Sequence, residues 1–266
     1  MHLKYLDAAD LAGRLGFDRL VNGLATAFLD RVDVPLRQRV EASDGRALLL
    51  MPVADERHAG VKMLTIVPAN AMRNEPVIQG LYVVFDFTTG KPIAAMDAAE
   101  LTSRRTAAVS ALAADRLAHP KAQRLLLVGS GNLVPYFAEA LLSVRSFAAI
   151  EIWARDPNKA LKAVERVIAR TKHQNVTAAQ DLEAAARGAD MISCLTGATA
   201  PLILGEWLKQ GAHLDLVGSH RPDMREADDV AFARARIFVD DKAAVLAESG
   251  DVMHPLAKGV ISAESI

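Results

Sequence analysis

The sequence predicts an α/β fold in which a doubly wound parallel sheet fills the second half of the chain and a smaller α+β domain precedes it. Three observations carry that reading. Beyond about residue 120, short apolar runs alternate with helix-period segments. Before it, longer strand-like runs are joined by turn chemistry. The 266 residues suffice for two well-buried cores.

Composition narrows the partners. The chain is 51% hydrophobic and 24% charged with net charge −1, so it has no basic footprint for nucleic acid or an anionic membrane. A small metabolite is the expected partner. The single cysteine, Cys194, excludes an internal disulfide framework and a cysteine-based zinc site, and no metal is called for. The opening "MHLKYLDAADLAG" carries Asp7 and Asp10 and lacks the apolar core of a signal peptide. No apolar run approaches the roughly 20 residues that span a bilayer. These features predict a soluble, cytoplasmic protein.

In chain order, "FDRLVNGLATAFLDR" (17–31) has the period of an amphipathic helix. "RALLLMPVA" (46–54), "GVKMLTIVP" (60–68) and "GLYVVFDFTTGKPIAAMD" (80–97) read as strands of a meander or mixed sheet, with "DFTTGKP" supplying a turn. "LTSRRTAAVSALAADRLA" (101–118) is a strong helix former leading into the second domain. Six strand signals follow: "RLLLVG" (124–129), "AIEIWA" (149–154), "NVTAA" (175–179), "DMISCLT" (190–196), "HLDLVG" (213–218) and "RIFVD" (236–240). Helices between strands of this length impose right-handed crossovers and a parallel sheet. Gly188 and Gly211 stand after two of those helices, where left-handed caps are expected.

The first of these strands runs into Gly129-Ser130-Gly131-Asn132-Leu133-Val134 and then a helix with apolar residues at Val134, Phe137 or Ala138, and Leu141. Gly129 permits a tight turn, Gly131 lets backbone N–H groups approach a pyrophosphate, and the helix N-terminus offsets its charge. Val134 takes the third position, where a small residue is usual for helix–strand packing. The turn therefore predicts a Rossmann-type dinucleotide site. At the end of the second strand, where an acid would accept a ribose hydroxyl, the chain reads Ala154-Arg155-Asp156. The Arg155 guanidinium suits a 2′-phosphate and favours NADP(H). NAD(H) stays open, because Asp156 can serve the ribose, and the pair also reads as a solvated turn before Pro157.

Beyond these local signals, "VPLR" (34–37), "GVKMLTIVPAN" (60–70), "QGLYVVFDFTTGKPIAAMD" (79–97), "LTSRRTAAVSALAA" (101–114), the glycine turn and "HLDLVGSHRPDMREADD" (213–229) stand in an order that resembles the ornithine cyclodeaminase and mu-crystallin superfamily. The resemblance covers nearly the whole chain. It implies a substrate-binding and dimerisation domain over 1–116, a Rossmann dinucleotide-binding domain over 117–250 and a homodimer. It also implies that residues 251–266 begin a C-terminal return segment that is truncated at "GVISAESI".

The resemblance places Arg37, Lys62 and Arg105 in the substrate site, where cations would clamp a carboxylate; Lys62 and Arg105 are expected at the reacting centre. Arg104 reads as a solvent-facing neighbour. Thr106 matches a cofactor-approaching position, or is a helix hydroxyl bonded to a preceding carbonyl. Thr196, Val217 and Gly218 should border the cofactor, and Cys194 is expected to be a small buried filler.

Cyclodeaminases carry an aspartate where this chain has His220 and a glutamate where it has Leu49. Both departures remove acids that would handle a second amine. His220 is therefore expected to supply a proton or hydrogen bond during reduction, or else to shape the pocket. The texture is most similar to ketimine reductases that convert Δ1-pyrroline-2-carboxylate or Δ1-piperideine-2-carboxylate to L-proline or L-pipecolate. Ornithine cyclodeaminase, alanine dehydrogenase and a mu-crystallin-like binding protein without turnover remain the alternatives.

Overall fold

The computed structural model describes residues 3–30, 32, 34–73 and 75–266. Arg31, the last residue of the first predicted helical stretch, lies outside them. The chain divides into two compact units, Met1–Thr106 and Ala107–Ile266. The division falls inside a helix, and residues 251–266 belong to the second unit.

The first unit is built from β1 (Lys4–Leu6), α1 (Ala8–Arg14), α2 (Phe17–Ala27), β2 (Gln38–Glu41), β3 (Ala47–Ala54), β4 (His58–Ile66), β5 (Ile78–Asp86), β6 (Lys91–Asp97) and the first part of α3 (Ala98–Leu117). Strands β2 to β6 form an antiparallel meander, and β1 adds in parallel beside β6, so the sheet is mixed. Gly90, at φ +69°, closes the β5–β6 turn in a conformation that glycine adopts without strain.

Cross-strand register orders one face of this sheet. Lys62 of β4 lies opposite Met51 of β3 and Tyr82 of β5; two residues on, Leu64 lies opposite Leu49 and Gly80. With side chains alternating along each strand, these six residues share a face. Leu49 and Leu64 pack there with Ala47 and with Ala98 at the start of α3.

Arg104 corrects an expectation. It is only 4% exposed, paired with Glu100 one helical turn earlier, donating from Nη1 to the Leu15 carbonyl at 2.9 Å and lying over the Phe17 ring. A guanidinium is buried only when it is paired and hydrogen-bonded, and Glu100 and the Leu15 carbonyl supply that pairing.

The second unit continues from α3 through β7 (Arg124–Val128), α4 (Leu133–Val144), β8 (Ala149–Trp153), α5 (Pro157–Thr171), β9 (Val176–Ala178), α6 (Leu182–Gly188), β10 (Met191–Cys194), β11 (His213–Leu216), α7 (Asp229–Arg234), α8 (Lys242–Glu248) and α9 (Gly250–Ala257). The strand order is β9-β8-β7-β10-β11 and every pair is parallel. Leu125 to Val128 are fully buried, as a central strand covered on both faces requires. Asp156, Asp181 and Asp228 each cap the N-terminus of the helix that follows.

Two expectations fail in this unit. "RIFVD" is not a strand: charged residues flank it, Ile237 packs into a small cluster with Ala227, Phe232 and Val252, and Phe238 is exposed with Arg236 over its ring. A run whose apolar side chains are exposed or only half-buried, Ile237 and Val239 among them, has too little to bury as a sixth strand. Gly188 does not adopt a left-handed conformation, because its helix ends extended at Ala189; Gly211 does, at φ +79°. The left-handed cap of α5 is Lys172, a non-glycine residue at φ 61°.

Candidate active site

In the first unit, Lys62 sits midway along β4, on the face that carries Leu49 and Leu64. Its Nζ is 3.5 Å from Oγ1 of Thr102 in α3, and Arg105 stands three residues further along that helix. Burial pushes the Lys62 ammonium from its usual 10.5 down to about 8, and the positive charges of Arg105 and Arg37 push in the same direction. Two of the cations expected from sequence, Arg105 and Arg37, therefore act on the third, Lys62. Arg37 and Arg105 are exposed, and half-buried Thr106 follows Arg105. Position 49 is buried and apolar.

In the second unit, the strand order reverses direction between β7 and β10, and the loops leaving these two strands are in contact. Gly129, at φ +131°, has its N–H bonded to the Trp153 carbonyl at 2.8 Å; a Cβ there would lie 2.8 Å from the Leu195 carbonyl oxygen. Only glycine fits. Arg166 of α5 donates to the Ser130 carbonyl at 2.7 Å and the Gly131 carbonyl at 3.3 Å, which engages both oxygens of the turn.

Asn132 precedes Leu133, the first residue of α4, and makes no side-chain capping bond, so the helix N-terminus has no internal anion. Val134 is fully buried; the missing third glycine is therefore a packing substitution, filled by the helix's apolar face. Glycine turn, uncapped helix start and their place where the strand order reverses together fit a dinucleotide pyrophosphate. At the end of β8, Ala154 is buried and Arg155 is exposed. Asp156 accepts from the Asn158 N–H at 2.9 Å as the α5 cap, with Pro157 in the first turn.

The ends of β10 and β11 complete this edge. Glu226, fully buried, accepts at Oε1 from the Thr196 N–H and hydroxyl, each at 2.7 Å, and at Oε2 from the N–H groups of Val217 at 3.1 Å and Gly218 at 2.7 Å. Burial raises its carboxyl to about 7 against the lowering effect of these bonds. Asp251 Oδ1 holds the Glu226 N–H at 2.9 Å and the Ala227 N–H at 3.1 Å.

His220 is exposed, with Nδ1 2.9 Å from the Gly218 carbonyl. Donation to that carbonyl fixes the proton on Nδ1 and leaves Nε2 of the neutral ring as an acceptor. Cys194 is buried and its thiol is pushed well above its usual range by burial, so it is no nucleophile.

Residues 8–264 match the model of the ornithine cyclodeaminase/mu-crystallin family. The chain belongs to that family. It is 35% identical to the Arabidopsis thaliana protein SAR DEFICIENT 4 over 98% of this chain and 83% of that protein. It is 39% identical to a Paracoccus denitrificans Δ1-pyrroline-2-carboxylate reductase over 78% of this chain and 65% of that protein. The structure of the Thermococcus litoralis Δ1-pyrroline-2-carboxylate reductase, in complex with NADH and L-proline, superposes with a TM-score of 0.92 at 26% identity over 99% of this chain and 84% of that one.

Seen as a member of this family, the chain has its expected cations grouped in the first unit and its expected dinucleotide residues, Gly129 to Val134 with Thr196, Val217 and Gly218, along one sheet edge of the second. Sequence reading missed Arg166 and Glu226. Neither belongs to a local motif: Arg166 reaches back 36 residues to Ser130, and Glu226 reaches 30 residues back to Thr196. The only signal for Glu226 was an acid among polar residues in "DMREADD".

Proposed function

We propose that this protein is an NAD(P)H-dependent reductase of cyclic ketimine acids, taking Δ1-pyrroline-2-carboxylate or Δ1-piperideine-2-carboxylate to L-proline or L-pipecolate. The observation that carries the reading is the Lys62 environment: the charges acting on it are those of two arginines. Such a group is relieved by an incoming carboxylate, and Arg37 and Arg105 can share that anion.

The bound dinucleotide would supply a hydride to C2 of the protonated imine, whose C=N electrons pass to nitrogen as the amine forms and the nicotinamide is oxidised. The glycine turn and the α4 N-terminus hold its pyrophosphate. Arg155 faces a 2′-phosphate, and the engagement of Asp156 as a cap supports NADP(H) as the preferred form, with NAD(H) accepted. Nε2 of His220, as an acceptor, takes a hydrogen bond from the N–H of the protonated imine. Leu49, packed against Leu64 and Ala98, leaves no acid for a second amine, which disfavours ornithine.

A homodimer working in the cytoplasm on a small imino acid completes this reading. It is supported by the family and by apolar side chains left exposed on the first-unit sheet, among them Val40, Leu48 and Ile78. No helix among the described residues is long and apolar enough to cross a membrane.

The test is purified protein with NADPH or NADH and freshly generated Δ1-pyrroline-2-carboxylate. Loss of the reduced cofactor's absorbance with formation of L-proline is expected. Absence of turnover with either ring size overturns the proposal; proline and ammonia from ornithine without cofactor consumption would establish a cyclodeaminase, and NADH oxidation with pyruvate and ammonia an alanine dehydrogenase.

A further inference from the structure

We propose that Glu226 is the positioning residue for the dinucleotide: its carboxylate ties together the loops that follow β10 and β11, and so fixes Thr196, Val217 and Gly218 in the arrangement that receives the cofactor. The inference deepens the reductase reading and rests on it.

The geometry is that of a saturated acceptor. Each Glu226 oxygen takes two donors, one pair from the loop after β10 and the other from the loop after β11. A carboxylate has about four lone-pair sites, so the ionised form is matched completely. Three of the four donors are backbone N–H groups, which cannot reverse into acceptors. The Thr196 hydroxyl alone can reverse, and it already accepts from the Ala198 N–H at 3.3 Å.

The two loops approach so closely that a Cβ on Gly218 would lie 1.9 Å from the Thr196 carbonyl oxygen and 2.7 Å from Glu226 Oε1. Their backbones meet directly, with the carboxylate as the pin. The pin is itself held, because its N–H is bonded to Asp251 and its carbonyl accepts from the N–H groups of Leu202 at 2.8 Å and Ile203 at 3.0 Å.

Protonation would undo the match. Burial brings the Glu226 carboxyl up to about 7, so the ionised form that satisfies all four donors prevails above that pH and is lost as pH falls through it. Among the described residues, the ionisable groups that bear on the site are Asp251, from α9, whose negative charge raises Glu226; Cys194 on β10, buried and neutral; Asp215 on β11, itself raised by burial to about 6 and acting with Glu226 on Cys194; Arg225, engaged by Asp229; His254, which acts on Asp251; and His220 on the β11 loop. Affinity for the dinucleotide should therefore have an acid limb centred near 7.

NADH binding by fluorescence, measured without turnover on either side of pH 7, tests this. Glu226→Gln places an amide NH₂ against N–H donors at constant size, and should fold as the wild type does, weaken NADH about 10-fold or more and flatten the acid limb. Asp251→Asn keeps the Oδ1 acceptor but removes the neighbouring negative charge; it should move the limb to lower pH, which a residue serving packing alone would not do. A folded Glu226→Gln protein with wild-type affinity and pH profile overturns the proposal. Should that variant not fold, an unmoved limb in Asp251→Asn overturns it. Wild-type protein that binds no dinucleotide removes the reductase reading as well, whereas wild-type binding with indifferent variants removes only the role of Glu226.

Discussion

Replacing Lys62 with methionine should stabilise the protein while disabling it. Burial and two neighbouring arginines bring the Lys62 ammonium from 10.5 to about 8, a difference equivalent to about 3 kcal/mol against the charged form. Lys62 retains partial solvent access, so the recoverable part is set at about 1–2 kcal/mol. Below pH 8 the lysine is charged in folded and unfolded chains alike, and folding carries the whole penalty. Between pH 8 and 10.5 the folded protein releases the proton while the unfolded chain keeps it; the unfolded state then binds more protons, and stability rises with pH. Above 10.5 both are neutral. Lys62→Met should thus melt about 2–8 °C higher than wild type near pH 7, with the gap closing toward pH 10.5. Thermal unfolding followed by circular dichroism across that range gives the comparison, and steady-state kinetics should show a KM for the imino acid raised at least about 10-fold. A variant that melts lower than wild type at pH 7, or a gap that persists undiminished above pH 10.5, refutes the account of Lys62 as a buried cation held for a ligand carboxylate.

Gly129→Ala meets both a left-handed backbone and the Leu195 carbonyl, so it should lose about 1–3 kcal/mol and most dinucleotide affinity; an unchanged melting temperature would contradict the geometry of the turn. Arg155→Asp should reduce the NADPH-to-NADH preference in kcat/KM by about 10–100-fold, the worth of a charged hydrogen bond to phosphate, and an unaltered ratio would remove Arg155 from the cofactor site. Asp156→Ala, which loses only the α5 cap, should cost about 1 kcal/mol in thermal unfolding and leave that ratio alone; a shifted ratio would show that Asp156 serves the ribose after all.

The parallel sheet was legible because strands buried on both faces write continuous apolar runs such as "LLLV", and the helices between them carry their own caps. The same rule misread "RIFVD", since apolar content does not distinguish a sixth strand from a loop that half-buries Ile237 and Val239. β1 and β2 passed unnoticed because strands of three and four largely exposed residues have no pattern of their own; neighbouring β6 and β3 define them. Arg104 and Arg105 show the limit within a helix. The motif drew attention to both, yet only the i,i+4 relation of Glu100 to Arg104 separates the buried structural pair from the exposed cation beside it.

The contrast between Lys62 and Glu226 explains why the site was half legible. Both are ionisable groups drawn inside, and burial acts on each against its charge. Glu226 is met by four donors from the protein, which match its ionised form and tie two loops to one side chain. Among the described residues, Lys62 has one long hydrogen-bond contact, to Thr102, and the charges that bear on it repel it. A protein that keeps such a cation accepts instability that a bound anion relieves. Position 49 bears on this directly: Leu49 lies on the same sheet face, one pair of residues along from Met51 and Lys62, and an acid there would sit near enough to weaken the pull on an incoming carboxylate. On the proposed reading, the leucine thus does more than remove a partner for a second amine, because it would leave undiminished the attraction of Lys62 to a substrate carboxylate.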